Sequence, residues 1–186
     1  MTRLLFMFLA LLTGCASLGP SPNGGAHNDQ NWLVRGKLSV TTPEDTVTGY
    51  LSWEQQQQAY DLFISGPLGQ GASRLTGNDR FAELTLPGWE RPQRAPSAEH
   101  LLQHYMGWTF PVQNVRYWVQ GQPSPGEQTK VQRDEQGRLI SLQQHGWLIR
   151  YSRYSRQGQR WLPGLIKVSG HNHRFVFAIK EWTLRG

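Results

Sequence analysis

From Trp32 onward, apolar residues recur mostly at every second position. Trp32, Val34, Leu38 and Val40 share one side of such an alternation, with Arg35, Lys37 and Ser39 on the other. Val47, Gly49, Leu51 and Trp53 form a second set opposite Thr48, Ser52 and Glu54, and Tyr60, Leu62 and Ile64 form a third. A period of two sends alternate side chains to opposite faces of a strand. Residues 71–77 and 80–86 pair across the turn signal Gly77-Asn78-Asp79, which predicts an antiparallel meander. The proline-rich stretch 87–96 breaks the pattern. Ser97, with Glu99 and the run to Met106, predicts a short capped helix with Leu101, Leu102 and Tyr105 on its apolar side. Pro111 suits the start of a second helix, in which Val112, Val115 and Val119 recur at spacings of three and four, until 121–126 ends it.

Strand signals then resume. Residues 130–133 and 139–144 flank Asp134-Glu135-Gln136-Gly137, and 147–154, 165–169 and 174–184 complete the series. In the last, Phe175, Phe177 and Ile179 share a face, and Trp182 lies beyond a register change. Ten or eleven strands with two short helices near the middle leave too few helices for a βα-repeat fold. Several strands carry large apolar groups on both faces, as with Leu148 opposite Trp147, Ile149 and Tyr151. A sandwich accounts for that, and so does a curved sheet around an apolar cavity plugged by the helices.

Composition narrows the picture. A chain of 186 residues, 38% hydrophobic and 11% aromatic, holds one domain with a core and is too short for two with a linker. Eight Trp, six Tyr and seven Phe argue against wholesale disorder. A single Cys excludes an intramolecular disulfide and any cysteine-only metal site. The formal charge of +6 is unevenly placed. Residues 16–129 hold seven basic and ten acidic groups, whereas residues 130–186 hold eleven basic and three acidic. The basic carboxy-terminal part suits an acidic protein face, anionic headgroups or a solvated surface.

The amino terminus carries an address. Arg3 precedes an apolar run of nine, Leu4 to Leu12, which as a helix spans roughly 14 Å against a hydrocarbon core of roughly 30 Å. It reads as a signal peptide, not a membrane span. Leu12-Thr13-Gly14-Cys15 resembles a bacterial lipobox. That resemblance implies S-diacylglycerol on the Cys15 thiol, cleavage after Gly14 and N-acylation of the new amino group. Ala16, where enteric inner-membrane lipoproteins carry Asp, implies the outer membrane. The expected organisation is a signal peptide over 1–14, a lipidated Cys15 with a flexible tether over 15–30, and one domain over 31–186.

The ordered combination of motifs resembles the LolB family, the outer-membrane lipoprotein receptors of Gram-negative bacteria. It runs from the lipobox through Trp32, Gly36 and the central helices to Trp182, and its densest marks are Ile64-Ser65-Gly66-Pro67-Leu68-Gly69, with Ala72 and Leu75, then Phe110-Pro111-Val112, Val115, Trp118 and Gly121. Trp147, Tyr151, Pro163 and Lys180-Glu181-Trp182 follow in order. The resemblance implies an incomplete barrel of about eleven antiparallel strands, enclosing a hydrophobic cavity covered by short helices. It implies a monomeric, non-enzymatic receptor without catalytic residues, metal or further cofactor. Such a receptor faces the periplasm, takes acylated lipoproteins from the carrier LolA and inserts them among outer-membrane phospholipids. Its protruding apolar insertion residue falls on Leu68, between Pro67 and Gly69, a context that favours a turn. Candidates for the acyl-binding wall are Trp53, Tyr60, Leu62, Phe81, Leu101, Val115, Trp118, Trp147, Ile149, Tyr151, Phe175 and Phe177. Each of these equally suits plain core packing.

Other classes fit less well. Arg150-Tyr151-Ser152-Arg153-Tyr154-Ser155-Arg156 interleaves basic and aromatic residues, as nucleic-acid modules do, but a strand produces the same spacing and an export signal argues against it. His100 and His104, and His171 and His173, lack a third ligand in a metal motif, and His171-Asn172-His173 reads as a hairpin turn. Neither a Gly-x-Ser-x-Gly elbow nor a phosphate-cradling loop occurs. A lipoprotein using the same curved sheet to bind another hydrophobic ligand or a protein partner is the main alternative.

Overall fold

The computed structural model describes residues 31–126 and 128–185. The signal peptide, Cys15 and the tether lie outside the described residues. Five strands come first: β1 (Asn31–Thr41), β2 (Thr46–Gln56), β3 (Ala59–Ser65), β4 (Ser73–Gly77) and β5 (Ala82–Thr85). A short β6 (Gln93–Ala95) leads into α1 (Ala98–Met106) and α2 (Val112–Trp118). There follow β7 (Lys130–Arg133), β8 (Leu139–Gln144), β9 (Trp147–Ser152), β10 (Ser155–Gln157), β11 (Arg160–Leu162), β12 (Leu165–Gly170) and β13 (His173–Leu184). Eleven strands form one antiparallel sheet in the order β6-β5-β4-β3-β2-β1-β13-β12-β9-β8-β7, and β10 pairs with β11 alone.

The alternation read from the sequence sets which face is inside. Val34, paired with Trp182 and Trp53, heads a buried row that continues through Leu62, Leu75 and Leu84. Trp147, Ile149 and Tyr151 of β9 and Ile166 and Val168 of β12 are buried on the same side. The register change in β13 is a bulge at Lys180, since Arg35 pairs with Glu181 while Gly36 pairs with Ile179. The bulge carries the inward set from Phe175 and Phe177 to Trp182. It also brings the Ala178 carbonyl against Gly36, where a Cβ would sit 2.2 Å from that oxygen.

The curl of the sheet follows from what α2 reaches. Gln113 Nε2 donates to the Asn78 carbonyl in the β4–β5 turn at 3.1 Å, and Trp118 Nε1 donates to Gln144 Oε1 of β8 at 2.9 Å. In a flat sheet β4 and β8 would stand about 34 Å apart, whereas Gln113 and Trp118 are separated by about 8 Å of helix. The flanks therefore wrap round the helices as an incomplete barrel, and sheet and helices share one hydrophobic cluster. The eleven sheet strands and both helices among the described residues lie between Asn31 and Leu184, and a chain beginning at Ala16 contains them all.

Several expectations need correction. Residues 87–96 contain a strand, β6, held to β5 through Glu83 opposite Arg94. The small hairpin β10–β11 is absent from the alternation pattern because each strand has only three residues. Tyr105 is exposed at the edge of α1, its ring against Trp89. Val47 has the inward parity of Leu51 but is the second residue of β2, and it is 63% exposed.

Candidate functional site

The inner wall is assembled from the strands, and the lid from the helices. Ser97 Oγ accepts the His100 amide and caps α1, while Gly107, with φ 75°, closes it in the left-handed conformation. Glu99 Oε1 accepts the Val112 amide at 3.1 Å, so α1 caps α2 and the helices are joined at that point. Between them, Phe110 is buried against the inner face of β13, its ring 4.0 Å from Phe175, 6.1 Å from Phe177 and 5.9 Å from Trp147. A second aromatic group fills the other end, with Trp32 at 5.1 Å from Trp53 and 5.6 Å from Trp182. Offset and edge contacts of this kind stabilise by about 1 kcal/mol each beyond burial.

Eleven of the twelve acyl-wall candidates share this interior. Trp53, Tyr60, Leu62, Leu101, Val115, Trp118, Trp147, Ile149, Tyr151, Phe175 and Phe177 are all buried in the one cluster. Phe81 is not among them. It precedes inward-facing Ala82 by one residue, so the alternation turns it outward, and the Arg94 guanidinium lies 3.7 Å over its ring. In the observed conformation the wall packs against the helices, which occupy the chamber themselves.

Three wall groups keep unused polarity. Trp32 Nε1 and the hydroxyls of Tyr60 and Tyr151 are buried without a hydrogen-bond partner among the described residues. Burial, and then the Glu99 carboxylate, push the Tyr60 hydroxyl well above its ordinary pKa. Burial, and then Tyr154, do the same for Tyr151. Both stay protonated donors in an apolar setting, where an unmet hydroxyl costs about 1–3 kcal/mol.

Sequence reasoning missed the residues that hold the lid. Gln144 Oε1 accepts both Trp118 Nε1 and the Ser124 amide at 2.9 Å, and its Nε2 donates to the Ser124 carbonyl at 2.7 Å. The available signal was a Gln at an inward position, two residues after Leu142. Gln55, inward on β2, likewise accepts Trp53 Nε1 at 3.2 Å and donates to the Gln57 carbonyl at 2.8 Å. Phe110 was visible only as part of a motif.

Leu68 occupies the outermost point of the β3–β4 connection. Pro67–Gly69 forms a 3₁₀ turn without buried residues, in which Leu68 takes φ 58° and is 97% exposed. The Gly66 amide donates to the Gln70 carbonyl at 2.7 Å and closes the turn at its base. A left-handed Leu is uncommon and costs about 1 kcal/mol or more. Here it aims an isobutyl group into water. The register places this turn at the same end as Phe110, because Ser65 pairs with Tyr50 near the Val47–Val40–Phe175 row.

Glu83 and three of the histidines singled out in the sequence sit in local contacts or turns. Glu83 pairs with Arg94 at 3.5 Å. His100 Nδ1 lies 2.9 Å from Ser97 Oγ, and His171 and Asn172 form the β12–β13 turn with positive φ.

Comparison with known proteins agrees with this architecture. The family model described as outer membrane lipoprotein LolB matches residues 30–182. The chain is 39% identical to the outer-membrane lipoprotein LolB of Pseudomonas fluorescens, over 98% of this chain and 95% of that protein. It is 38% identical to that of Pseudomonas paraeruginosa, over 95% and 93%. Among solved structures, a LolA superfamily protein from Nitrosomonas europaea superposes with a TM-score of 0.54 at 10% identity, covering 85% of this chain and 87% of that one. A structure described as a putative outer membrane lipoprotein-sorting protein domain from Vibrio parahaemolyticus gives 0.54 at 9% identity, covering 88% of each. These two likenesses concern the fold alone. With its sheet, helices and Leu68 turn inside the matched span, the chain belongs to the LolB family of outer-membrane lipoproteins.

Proposed function

We propose that the protein receives acylated lipoproteins from a LolA-type periplasmic carrier, holds their acyl chains against its inner wall and releases them into the inner leaflet of the outer membrane. The observation that carries the reading is the placement of Leu68, fully exposed, at the same end of the incomplete barrel as the Phe110 plug. Withdrawal of Phe110 with the α1–α2 connection exposes Trp147, Phe175 and Phe177 on the side from which Leu68 projects. Each acyl methylene buried there contributes about 0.8 kcal/mol. Trp32 Nε1 and the Tyr60 and Tyr151 hydroxyls supply donors for ester and amide oxygens of the client's lipid. No covalent bond changes, and transfer proceeds by differential affinity of carrier, wall and membrane for the same chains.

In this reading residues 1–14 are removed, Cys15 carries the N-acyl and S-diacylglycerol groups, residues 16–30 are the tether, and the body works as a monomer. Two or more acyl chains make the attachment stable where one is marginal. Leu68→Glu tests the division of labour. Client uptake from the carrier is expected to persist, and release into phospholipid vesicles to fall. Equal release by both proteins would reject the role of Leu68.

A further inference from the structure

The outside of the sheet carries a charge pattern that acyl binding leaves unexplained. Strands β1, β9, β12 and β13 contain six Lys and Arg against one acid, Glu181. All six cations, Arg35, Lys37, Arg150, Lys167, Arg174 and Lys180, are exposed. Among the described residues only Arg35 of these six has an acidic partner, Glu181 at 3.5 Å, and both are more than half exposed, so that pair neutralises little. Arg150 and Lys167 stand directly opposite each other across β9 and β12. Like charges in that position are destabilising.

The neighbouring half of the sheet is built differently. There Asp61 pairs with Arg74 and Glu83 with Arg94, and Glu54 of β2 pairs with Arg185 just past the end of β13. A surface needed only for solubility mixes the two signs in this way. The unbalanced half presents a concentrated positive field, which favours an anionic counterpart.

Its surroundings identify that counterpart. An open groove of about 950 Å³ runs over the bulge, and its lining includes Arg35, Lys37, Arg153 and Lys180 against the single acid Glu181, with Tyr50 and Phe63 beside them. Tyr50 is 52% and Phe63 41% exposed, and Phe63 belongs to the strand that leads into the Leu68 turn. Cations beside exposed aromatic rings and a protruding aliphatic residue match the headgroup, interface and acyl layers of a bilayer. Chain length permits the pose. Cys15 lies 16 residues before Asn31, a reach of up to about 55 Å, while β1 is about 36 Å long. The lipid anchor and the Leu68 end can therefore meet one leaflet.

We propose that the outer face of β1, β13, β12 and β9, with the groove over the bulge, docks on anionic phospholipid headgroups and holds the domain against the leaflet that Leu68 enters. The inference rests on the reading of the protein as a membrane-delivery receptor.

The test uses the lipid-free chain beginning at Ala16 and co-sedimentation with phosphatidylcholine vesicles, with and without phosphatidylglycerol. The wild-type chain is expected to partition onto the phosphatidylglycerol vesicles and to be released by high salt. A variant carrying Lys37→Gln, Arg150→Gln, Lys167→Gln and Lys180→Gln should keep its urea midpoint or raise it, because the facing like charges are gone. Its partitioning should weaken about fivefold for each cation removed. Equal binding to both vesicle types, or unchanged binding by the variant, overturns the proposal. So does a variant that binds vesicles normally but no longer captures client from the carrier in lipid-free solution, since the face would then serve an acidic protein. Failure of the wild-type chain to capture client overturns the delivery reading instead, whatever the vesicles show.

Discussion

Leu68 and Gly36 are held in opposite ways. Among the described residues nothing covers Leu68, which is 97% exposed, and its outward aim is set locally by the turn made by Pro67, Gly69 and the Gly66–Gln70 bond. Leu68→Glu is accordingly expected to change stability by no more than about 0.5 kcal/mol in urea unfolding. A loss well beyond that would mean that Leu68 helps hold the fold. Gly36 has no room for a side chain, because the bulge presses the Ala178 carbonyl onto it. Gly36→Ala is expected to lower stability by about 2–3 kcal/mol, read from the urea midpoint. The turn at Leu68 was legible from Pro67 and Gly69. The demand on Gly36 was not, because it arises from a strand more than a hundred residues away in sequence.

Most elements were legible because burial of one sheet face imposes a period of two, and the capped helix announced itself through Ser97, Glu99 and the apolar positions Leu101 and Leu102. The short pieces β6, β10 and β11 escaped because three residues cannot display a period. Phe81 misled for a related reason: a large aromatic was assigned inward although Ala82 holds the inward position. What fixes the helices to the sheet was also out of sight, since Gln144 looks like an ordinary polar strand residue. Gln144→Ala leaves Trp118 Nε1 and both Ser124 backbone groups without their partner. A loss of about 3 kcal/mol is expected, with hydrogen exchange in α2 accelerated before that in β1 and β2. Uniform acceleration across the domain would show that α2 opens only with the whole fold. Phe110→Ala should cost about 3 kcal/mol and raise binding of an apolar fluorescent probe to the inner wall. Unchanged probe binding would argue against the plug.

At the scale of the molecule, an eleven-stranded sheet curled round two short helices separates three surfaces. The inside is apolar and aromatic, one end presents Leu68, and the outside of four strands is basic. The curl could be inferred from large apolar groups on both strand faces, although a sandwich fitted them as well. The α2 contacts to both flanks decide for the incomplete barrel. The central claim is that the inner wall takes up acyl chains independently of the membrane anchor. Its most direct test is transfer of an acylated lipoprotein from its purified periplasmic carrier to the chain beginning at Ala16, resolved by affinity capture, with the unacylated client as control. Movement of the acylated client alone is the predicted result. With both proteins folded and the carrier competent toward another acceptor, no movement, or equal movement of the unacylated client, would contradict it.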